Sequence, residues 1–354
     1  MRLRVVVLVW AVLLALPCFA REKTDVLIMT NGDRLTCEIK GLSQGVLYIG
    51  LDYISGTSSV EWAKVAHLES KQLFIVTTED GSVYTGTLGT SQENGQRPIQ
   101  LEIRETPETS VPLDTDRIVR MGETSTDFWR RFNGQINFGL NYAKGNDSAQ
   151  YNFNSLTAYV RERWWAQASY NSNLSTNSGS SPSTRNSLSL QGSHLLDRKN
   201  YFYTGGANFL QSSTQGIDLQ TSVYAGLGRY LKNTNRTSIT LVGGLAWQGT
   251  RYTQEVETAE QVNLLAALVA MTIDIFKFNK TNLNVTASVF PALTDPGRVR
   301  TNVNATYYVK FFSNFTWNAS LYGNWDNHPP PHFSGADYGF SSGLGWTFGL
   351  SGIR

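Results

Sequence analysis

Residues 299–311, VRTNVNATYYVKF, alternate between apolar and polar side chains with a period of two. Val303 and Ala305 fall on one face of an extended strand, and Asn302 and Asn304 fall on the other. Successive side chains of a β-strand point to opposite faces, so the pattern predicts a strand with one apolar face and one polar face. It is also long, because strands of soluble proteins usually run ~5–6 residues.

The same alternation recurs at 132–142, 282–289 and 315–321. In a soluble sandwich the apolar face would pack on a second sheet, whereas in a membrane barrel it would contact lipid and the polar face would line the lumen. Strands of ~10–14 residues suit a tilted membrane crossing. Aromatic residues near strand ends, such as Trp164 and Trp325, fit interfacial girdles. The sequence therefore favours a barrel.

Connections between the alternating segments are short and long in turn. Five short turns and six longer loops require 12 antiparallel strands with both ends of the barrel on the short-turn side, and counts of 10 or 14 are the alternatives. The weakest strand is 262–276, because its run 264–271 is apolar on both faces and could be helical. At the chain's end, Gly343, Trp346 and Phe348 resemble the last-strand signal read by outer-membrane assembly machinery.

The first 20 residues have the form of a secretory signal. Arg2 and Arg4 precede an apolar run, and a small-x-small site ends at Ala20. We expect residues 1–20 to be removed on export; a lipoprotein anchor at Cys18 is the weaker alternative. Cys37 would then be the one remaining cysteine, which excludes an intramolecular disulfide.

Residues 21–122 contain two tandem repeats, at about 24–70 and 73–122. Asn31-Gly32 and Asp80-Gly81 are equivalent hairpin signals between apolar runs. The short strands around them predict a periplasmic all-β region of duplicated SH3-like or Sm-like units. Residues 123–127 form a linker, and 128–354 form the barrel. The repeats could bind a periplasmic protein partner, or serve as a plug, spacer or dimerisation module.

The two halves of the chain have opposite charge. Residues 21–127 contain 10 Lys and Arg against 17 Asp and Glu, and residues 128–354 contain 18 against 11. The acidic half would repel phosphate, so we expect no nucleic-acid partner.

Several motifs resemble a known family. They are Asn31-Gly32-Asp33-Arg34-Leu35, Asp197-Arg198-Lys199-Asn200-Tyr201, Gly243-Gly244-Leu245-Ala246-Trp247, Asp295-Pro296-Gly297-Arg298 and the run from Tyr322 to Pro331. In these motifs the chain resembles the YdiY-like salt-induced outer membrane proteins, a domain-of-unknown-function family of Gram-negative bacteria. The resemblance implies an outer-membrane barrel and, in some members, expression linked to salt or acid stress. It supplies no catalytic residues.

The sequence offers no convincing catalytic, cofactor or metal site, and we expect no enzyme activity and no cofactor. Only four histidines occur. His67 is better explained by packing than by catalysis. Ser193 and His194 are consecutive in one strand, so their side chains point to opposite faces and cannot form a catalytic dyad. His328 and His332 flank Pro329–Pro331 in a loop, where a metal site is less plausible than a rigid bend that narrows the pore.

Three functions are open at this stage. The first is a narrow diffusion pore for small polar or anionic solutes, or a stress-related envelope protein with the same architecture. The second is a structural or interaction protein that is anchored by its barrel in outer-membrane lipid and binds a partner through the repeats. The third and least favoured is a barrel-embedded hydrolase. All three predict a cell outer membrane location with the N-terminal region in the periplasm.

Overall fold

The structure, a computed structural model, describes residues 23–90, 100–106, 109–125, 128–144, 148–177, 181–197, 200–213, 217–252, 262–278, 280–312, 315–328 and 335–346. These residues form 21 strands and three 3₁₀ turns, with no α-helix among them. No helix in this part of the chain is long and apolar enough to cross a membrane. Residues 1–20, the predicted signal, lie outside it.

Nine strands form the N-terminal domain. They are β1 (Asp25–Met29), β2 (Arg34–Ser43), β3 (Val46–Leu51), β4 (Ile54–Glu61), β5 (Val65–Thr78), β6 (Val83–Thr90), β7 (Gln100–Thr106), β8 (Thr109–Asp114) and β9 (Ile118–Glu123). Their order in the sheet is β4-β3-β2-β1-β5-β6-β7-β8, and β9 pairs with both β2 and β5. Because β9 joins two strands that are not neighbours along this path, the sheet bends back on itself into a small barrel-like unit.

The duplication seen in the sequence is also a duplication of topology. In the first repeat β1 pairs with β2 and with the start of β5, and β2-β3-β4 follow as hairpins. In the second, the end of β5 pairs with β6 and β9, and β6-β7-β8 follow. The repeat boundary expected at 70–73 falls inside β5, at an irregularity in its pairing with β6.

Both repeats share one hydrophobic core. Leu27, Ile39 and Phe74 are fully buried in it together with Cys37. A direct bond also links the two halves, because the indole Nε1 of Trp62 donates to the backbone carbonyl of Thr115 at 2.9 Å.

The second sheet contains twelve antiparallel strands in sequence order. They are β10 (Phe132–Ala143), β11 (Ser148–Val160), β12 (Trp164–Thr176), β13 (Ser183–Leu195), β14 (Tyr201–Ser212), β15 (Ile217–Asn233), β16 (Thr237–Tyr252), β17 (Val262–Lys277), β18 (Thr281–Pro291), β19 (Val299–Phe312), β20 (Phe315–Asp326) and β21 (Ala336–Trp346). The prediction of an all-β chain with a small N-terminal unit and a twelve-stranded barrel sheet is confirmed.

The ladders keep one chemical character on each face of this sheet. From strand to strand the register pairs apolar with apolar positions, as in Val285 with Ala305 and Ala305 with Leu321. It pairs polar with polar positions, as in Asn284 with Thr306. We call these the apolar face and the polar face. Short connections lie at one end of the sheet, the short-turn end, and longer ones at the other, the long-loop end.

The sheet curls toward its polar face. Arg300 on β19 and Gln248 on β16 lie three ladder steps apart, or about 14 Å across a flat sheet. Their side chains nevertheless meet, with Arg300 Nη1 donating to Gln248 Oε1 at 2.7 Å. A flat sheet could not bring these atoms together, so the polar face is concave. Among the described residues β10 and β21 are the two end strands, and because the strand number is even they run antiparallel to each other.

The helical alternative for residues 262–276 is wrong. This segment is β17, which pairs with β16 from Thr237 to Thr250 and with β18 from Thr281 to Val289. Its second apolar side exists because Leu264, Ala266 and Leu268 are buried on the concave face, with 6%, 0% and 7% of their surface exposed. Burial on the concave face, and not helical packing, therefore explains an apolar run without alternation.

Candidate functional site in the concave polar face

Arg300 presents the most unusual chemistry on the concave face. It lies on β19 opposite Phe290 on β18 and Asp326 on β20. Its guanidinium carbon is 5.8 Å from the centre of the Phe290 ring, and its Nη1 donates to the neutral amide of Gln248. Its Nε is buried and has no hydrogen-bond partner. A cation held this way, without an ion pair among the described residues, attracts anions.

The nearest carboxylate is occupied by a second arginine. Arg298 donates to Asp326 through Nε at 3.0 Å and through Nη2 at 2.6 Å. Its Nη1 also lies 3.6 Å from Asp295, and its side chain is only 12% exposed. Hydrogen bonding to Asp326 raises the pKa of the Arg298 guanidinium above its usual value. This bidentate pair stabilises the loop at the long-loop end. It leaves the neighbouring Arg300 without an ion pair of its own among the described residues.

Aromatic rings on the concave face lie over glycines of the neighbouring strand. Phe202 is paired with Gly228, and Tyr322 with Gly339. A Cβ atom at either glycine would overlap the facing ring. The missing side chains let the rings lie against the wall and not across the enclosed space.

One side of the concave face is packed. Leu264 and Leu268 on β17 are 6% and 7% exposed, and Thr250 on the neighbouring β16 is 4% exposed. Phe202 on β14, nearer the short-turn end, is 7% exposed. The adjoining strands β18 to β20 carry Asn, Thr and Ser together with Arg300 on this face. The concave face is therefore apolar at Leu264, Ala266 and Leu268 of β17 and carries hydrogen-bonding groups along the adjoining β18 to β20.

The twelve-stranded sheet coincides with a family match. Residues 136–348 match the family described as "Protein of unknown function, DUF481". The chain belongs to this family. The match extends from within β10 to beyond β21 and leaves the N-terminal domain outside it. It agrees with the family resemblance found in the sequence. No curated protein matches the chain.

In this DUF481 chain the N-terminal domain touches the short-turn end of the sheet at two places. Asn200, in the turn before β14, donates through Nδ2 to the backbone carbonyl of Glu79 at 2.9 Å. Asn235, in the turn before β16, donates through Nδ2 to the carbonyl of Asp116 at 3.5 Å. The Oδ1 atoms of both asparagines are buried without a partner. A cavity of about 530 Å³ lies between the domain and the strand ends.

The histidines considered in the sequence remain apart. His67 is half-buried on β5, 4.0 Å from Glu69. Ser193 and His194 are consecutive on β13, and the Ser193 hydroxyl donates to the carbonyl of Tyr203. His328 donates its backbone N–H to Asp326, whereas His332 and Pro329–Pro331 lie outside the described residues. Within the described ranges no cluster of three His, Cys, Asp or Glu side chains could hold a metal ion.

Sequence reasoning placed Arg300 on a polar strand face but did not identify it as a site. The available signal was a lone arginine among Asn and Thr in residues 300–306, where the other polar residues are neutral. Its contact with Gln248 could not be found this way, because the partner is 52 positions away on a strand that is not adjacent.

Proposed function

We propose that this chain is an outer-membrane β-barrel that forms a narrow diffusion pore for small polar or anionic solutes. The observation that carries the proposal is Arg300, whose buried Nε lacks a hydrogen-bond partner and whose Nη1 binds the neutral amide of Gln248. An arginine that lines a pore favours anions over cations of similar size.

The membrane setting supports the proposal through the apolar face. Ile136 and Phe138 on β10 and Phe340 and Leu344 on β21 are each at least 67% exposed, which lipid but not water would favour. Backbone groups in lipid must be paired, so the free edges of β10 and β21 would join and close the barrel. Strand number and direction allow this closure. The N-terminal domain would then lie in the periplasm, and the assembly machinery would recognise β21.

The test is planar-bilayer recording of the full mature chain. We expect stepwise conductance and a reversal potential that favours chloride over potassium in a salt gradient. Arg300→Gln should reduce this preference and Arg300→Glu should reverse it. Arg251→Gln is the matched control, because Arg251 lies at the same end of the sheet but is ion-paired with Asp218 at 3.0 Å. Equal selectivity in all variants would contradict the role of Arg300.

A second candidate is an anchored interaction protein whose repeats bind a periplasmic partner. The packed side of the concave face favours it, because Phe202, Leu264 and Leu268 occupy space that an open channel would need. A chain that inserts into bilayers but gives no conductance steps would support this candidate. On either proposal the protein is not an enzyme, and lipase or protease activity in purified protein would contradict both.

A further inference from the structure

We propose that the N-terminal domain is a resident plug, docked across the short-turn mouth of the barrel, that controls passage through it. The inference rests on the proposed pore for its effect on conductance, but the docking itself is independent of that function. Three observations carry it: the contacts between turns, the charges of the two surfaces, and the glycines that allow the close approach.

The docking contacts are made by two tight turns of the domain on two turns of the barrel. Gly81 lies against Asn200, where a Cβ atom would come within 2.6 Å of the Asn200 backbone nitrogen. Gly45 lies against Asn235, where a Cβ atom would be 3.1 Å from the Asn235 carbonyl oxygen. Both glycines have positive φ, +80° and +71°. At Gly81 the close approach of backbone to backbone therefore depends on the absence of a side chain, whereas a Cβ atom at Gly45 needs a shift of only a few tenths of an ångström.

The charges of the two partners are complementary. The short-turn end of the barrel, with the strand residues beside it, contains 12 Lys and Arg against three Asp and Glu, at 129–132, 161–164, 195–201, 229–238, 273–282 and 310–315. The rest of the barrel region, apart from the C-terminal arginine, contains five against eight. The acidic domain faces the basic end, and this attraction favours the docked arrangement.

The domain covers the part of the mouth formed by β11 to β17 and is not merely tethered beside it. The cavity of about 530 Å³ is lined by residues from β11 through β17 and, on the domain side, by Thr77 and Arg120. The chain leaves β9 at Glu123 and enters the turn at Trp129–Arg131 six residues later. A connection this short spans about 20 Å at most, so it keeps the domain near the mouth even when undocked.

Gly81 and Gly32 provide a matched pair for the test. They occupy equivalent hairpins, donate the same 2.9 Å turn hydrogen bond, to Thr78 and Met29 respectively, and both have positive φ. Gly32, however, has nothing within 4 Å of the position that a Cβ atom would take. Alanine at either site therefore strains its hairpin equally, but only Gly81→Ala pushes the domain from the barrel. An overpacked contact loses enough free energy to shift an equilibrium about tenfold. We therefore expect Gly81→Ala to raise the open probability of the pore about tenfold over wild type, and Gly32→Ala to leave it unchanged.

A disulfide can lock the docked state. A Cβ atom at Gly45 would lie 3.7 Å from the Cβ atom of Asn235, within the range that disulfides require. The pair Gly45→Cys with Asn235→Cys should form a bond on oxidation and lower conductance below wild type, and reductant should restore it. Gly56→Cys with Asn235→Cys is the control, because Gly56 also has positive φ but has no neighbour within 4 Å.

The outcomes separate docking from function. Failure of the Gly45–Asn235 pair to form a disulfide would overturn the docking. A formed disulfide with wild-type conductance, or equal conductance in the Gly81→Ala and Gly32→Ala proteins, would overturn the plug and leave the pore intact. If no protein conducts, including Gly81→Ala, both the pore and the plug are overturned. The docked arrangement would still stand in that case if the Gly45→Cys, Asn235→Cys pair formed its disulfide.

Discussion

The side-chain amide of Asn200 donates to the backbone carbonyl of Glu79 at 2.9 Å, across 121 positions of sequence. Asn200 also adopts φ +65°, a conformation that asparagine tolerates better than most residues. Asn200→Asp keeps that tolerance but replaces the donor by an acceptor facing a carbonyl. We expect it to slow disulfide formation in the Gly45→Cys, Asn235→Cys protein several-fold, measured by quenched thiol trapping. Asn141→Asp, at the exposed far end of β10, should leave the rate unchanged.

The ring of Phe202 depends on the absence of a side chain at Gly228. Gly228→Val would force the ring off the wall, because the new Cβ atom would overlap it. We expect a loss of about 1–3 kcal/mol in unfolding free energy. The temperature at which the folded band disappears on unheated gels in detergent measures this. Gly243→Val, on β16, is the control because nothing lies within 4 Å of its Cβ position. Equal melting of both variants would contradict the role of the glycine.

Asp25 stabilises the N-terminal domain from within. It is 1% exposed and accepts hydrogen bonds from the Ile39 backbone N–H at 2.8 Å and from the Ser70 hydroxyl at 2.6 Å. Asp25→Ala leaves these buried donors unmatched, at a cost of about 1–3 kcal/mol each. Fully buried Cys37, opposite Asp25 in the β1–β2 ladder, reports the effect as faster thiol labelling in urea. The exposed Asp33→Ala should label at the wild-type rate; equally rapid labelling would refute a specific role for Asp25.

The pair of Arg298 and Asp326 stabilises the long-loop end. Arg298→Gln removes the bidentate contact and leaves the Asp326 carboxylate half-buried, so we expect faster protease cleavage within residues 292–298. Arg251→Gln should change this cleavage little. The ion pair that it removes, between Arg251 and Asp218, has side chains that are 62% and 49% exposed, and exposed ion pairs contribute little to stability. If Arg298→Gln and Arg251→Gln are cleaved at the same rate, the pair of Arg298 and Asp326 does not stabilise this loop.

The same pair has a defined pH dependence on its alkaline side. Asp326 raises the pKa of Arg298 in the folded protein. The stabilisation that the charged guanidinium gives is therefore complete below the pKa of Arg298 in the unfolded chain, and it is lost only as the pH rises through the higher pKa of the folded protein. Both lie beyond the working range. Protease resistance of the loop in the wild-type chain should therefore stay constant from about pH 7 to about pH 10. A fall within this interval would show that another group controls the loop.

Much of the barrel sheet was predictable because the alternation is local. The position of Asn302 or Ala305 in the alternation is enough to assign its side chain to one face of the strand. The order of long and short connections likewise gives the strand number and direction without knowledge of any contact. The segment around Leu264 and Leu268 could not be resolved this way. It is apolar on both sides because the concave face is packed there, and the curl of the sheet, not the order of residues, creates that environment.

The sequence by itself determined the all-β class, the duplicated hairpins at Gly32 and Gly81, and twelve strands with both ends on the short-turn side. These follow from side-chain periodicity and turn chemistry, which act over a few residues. The tertiary structure alone decided that Arg300 reaches Gln248 and that Gly81, but not its repeat equivalent Gly32, rests on the barrel. Such contacts depend on sheet curvature and on the relative position of two folded units, which bring together residues that are far apart along the chain.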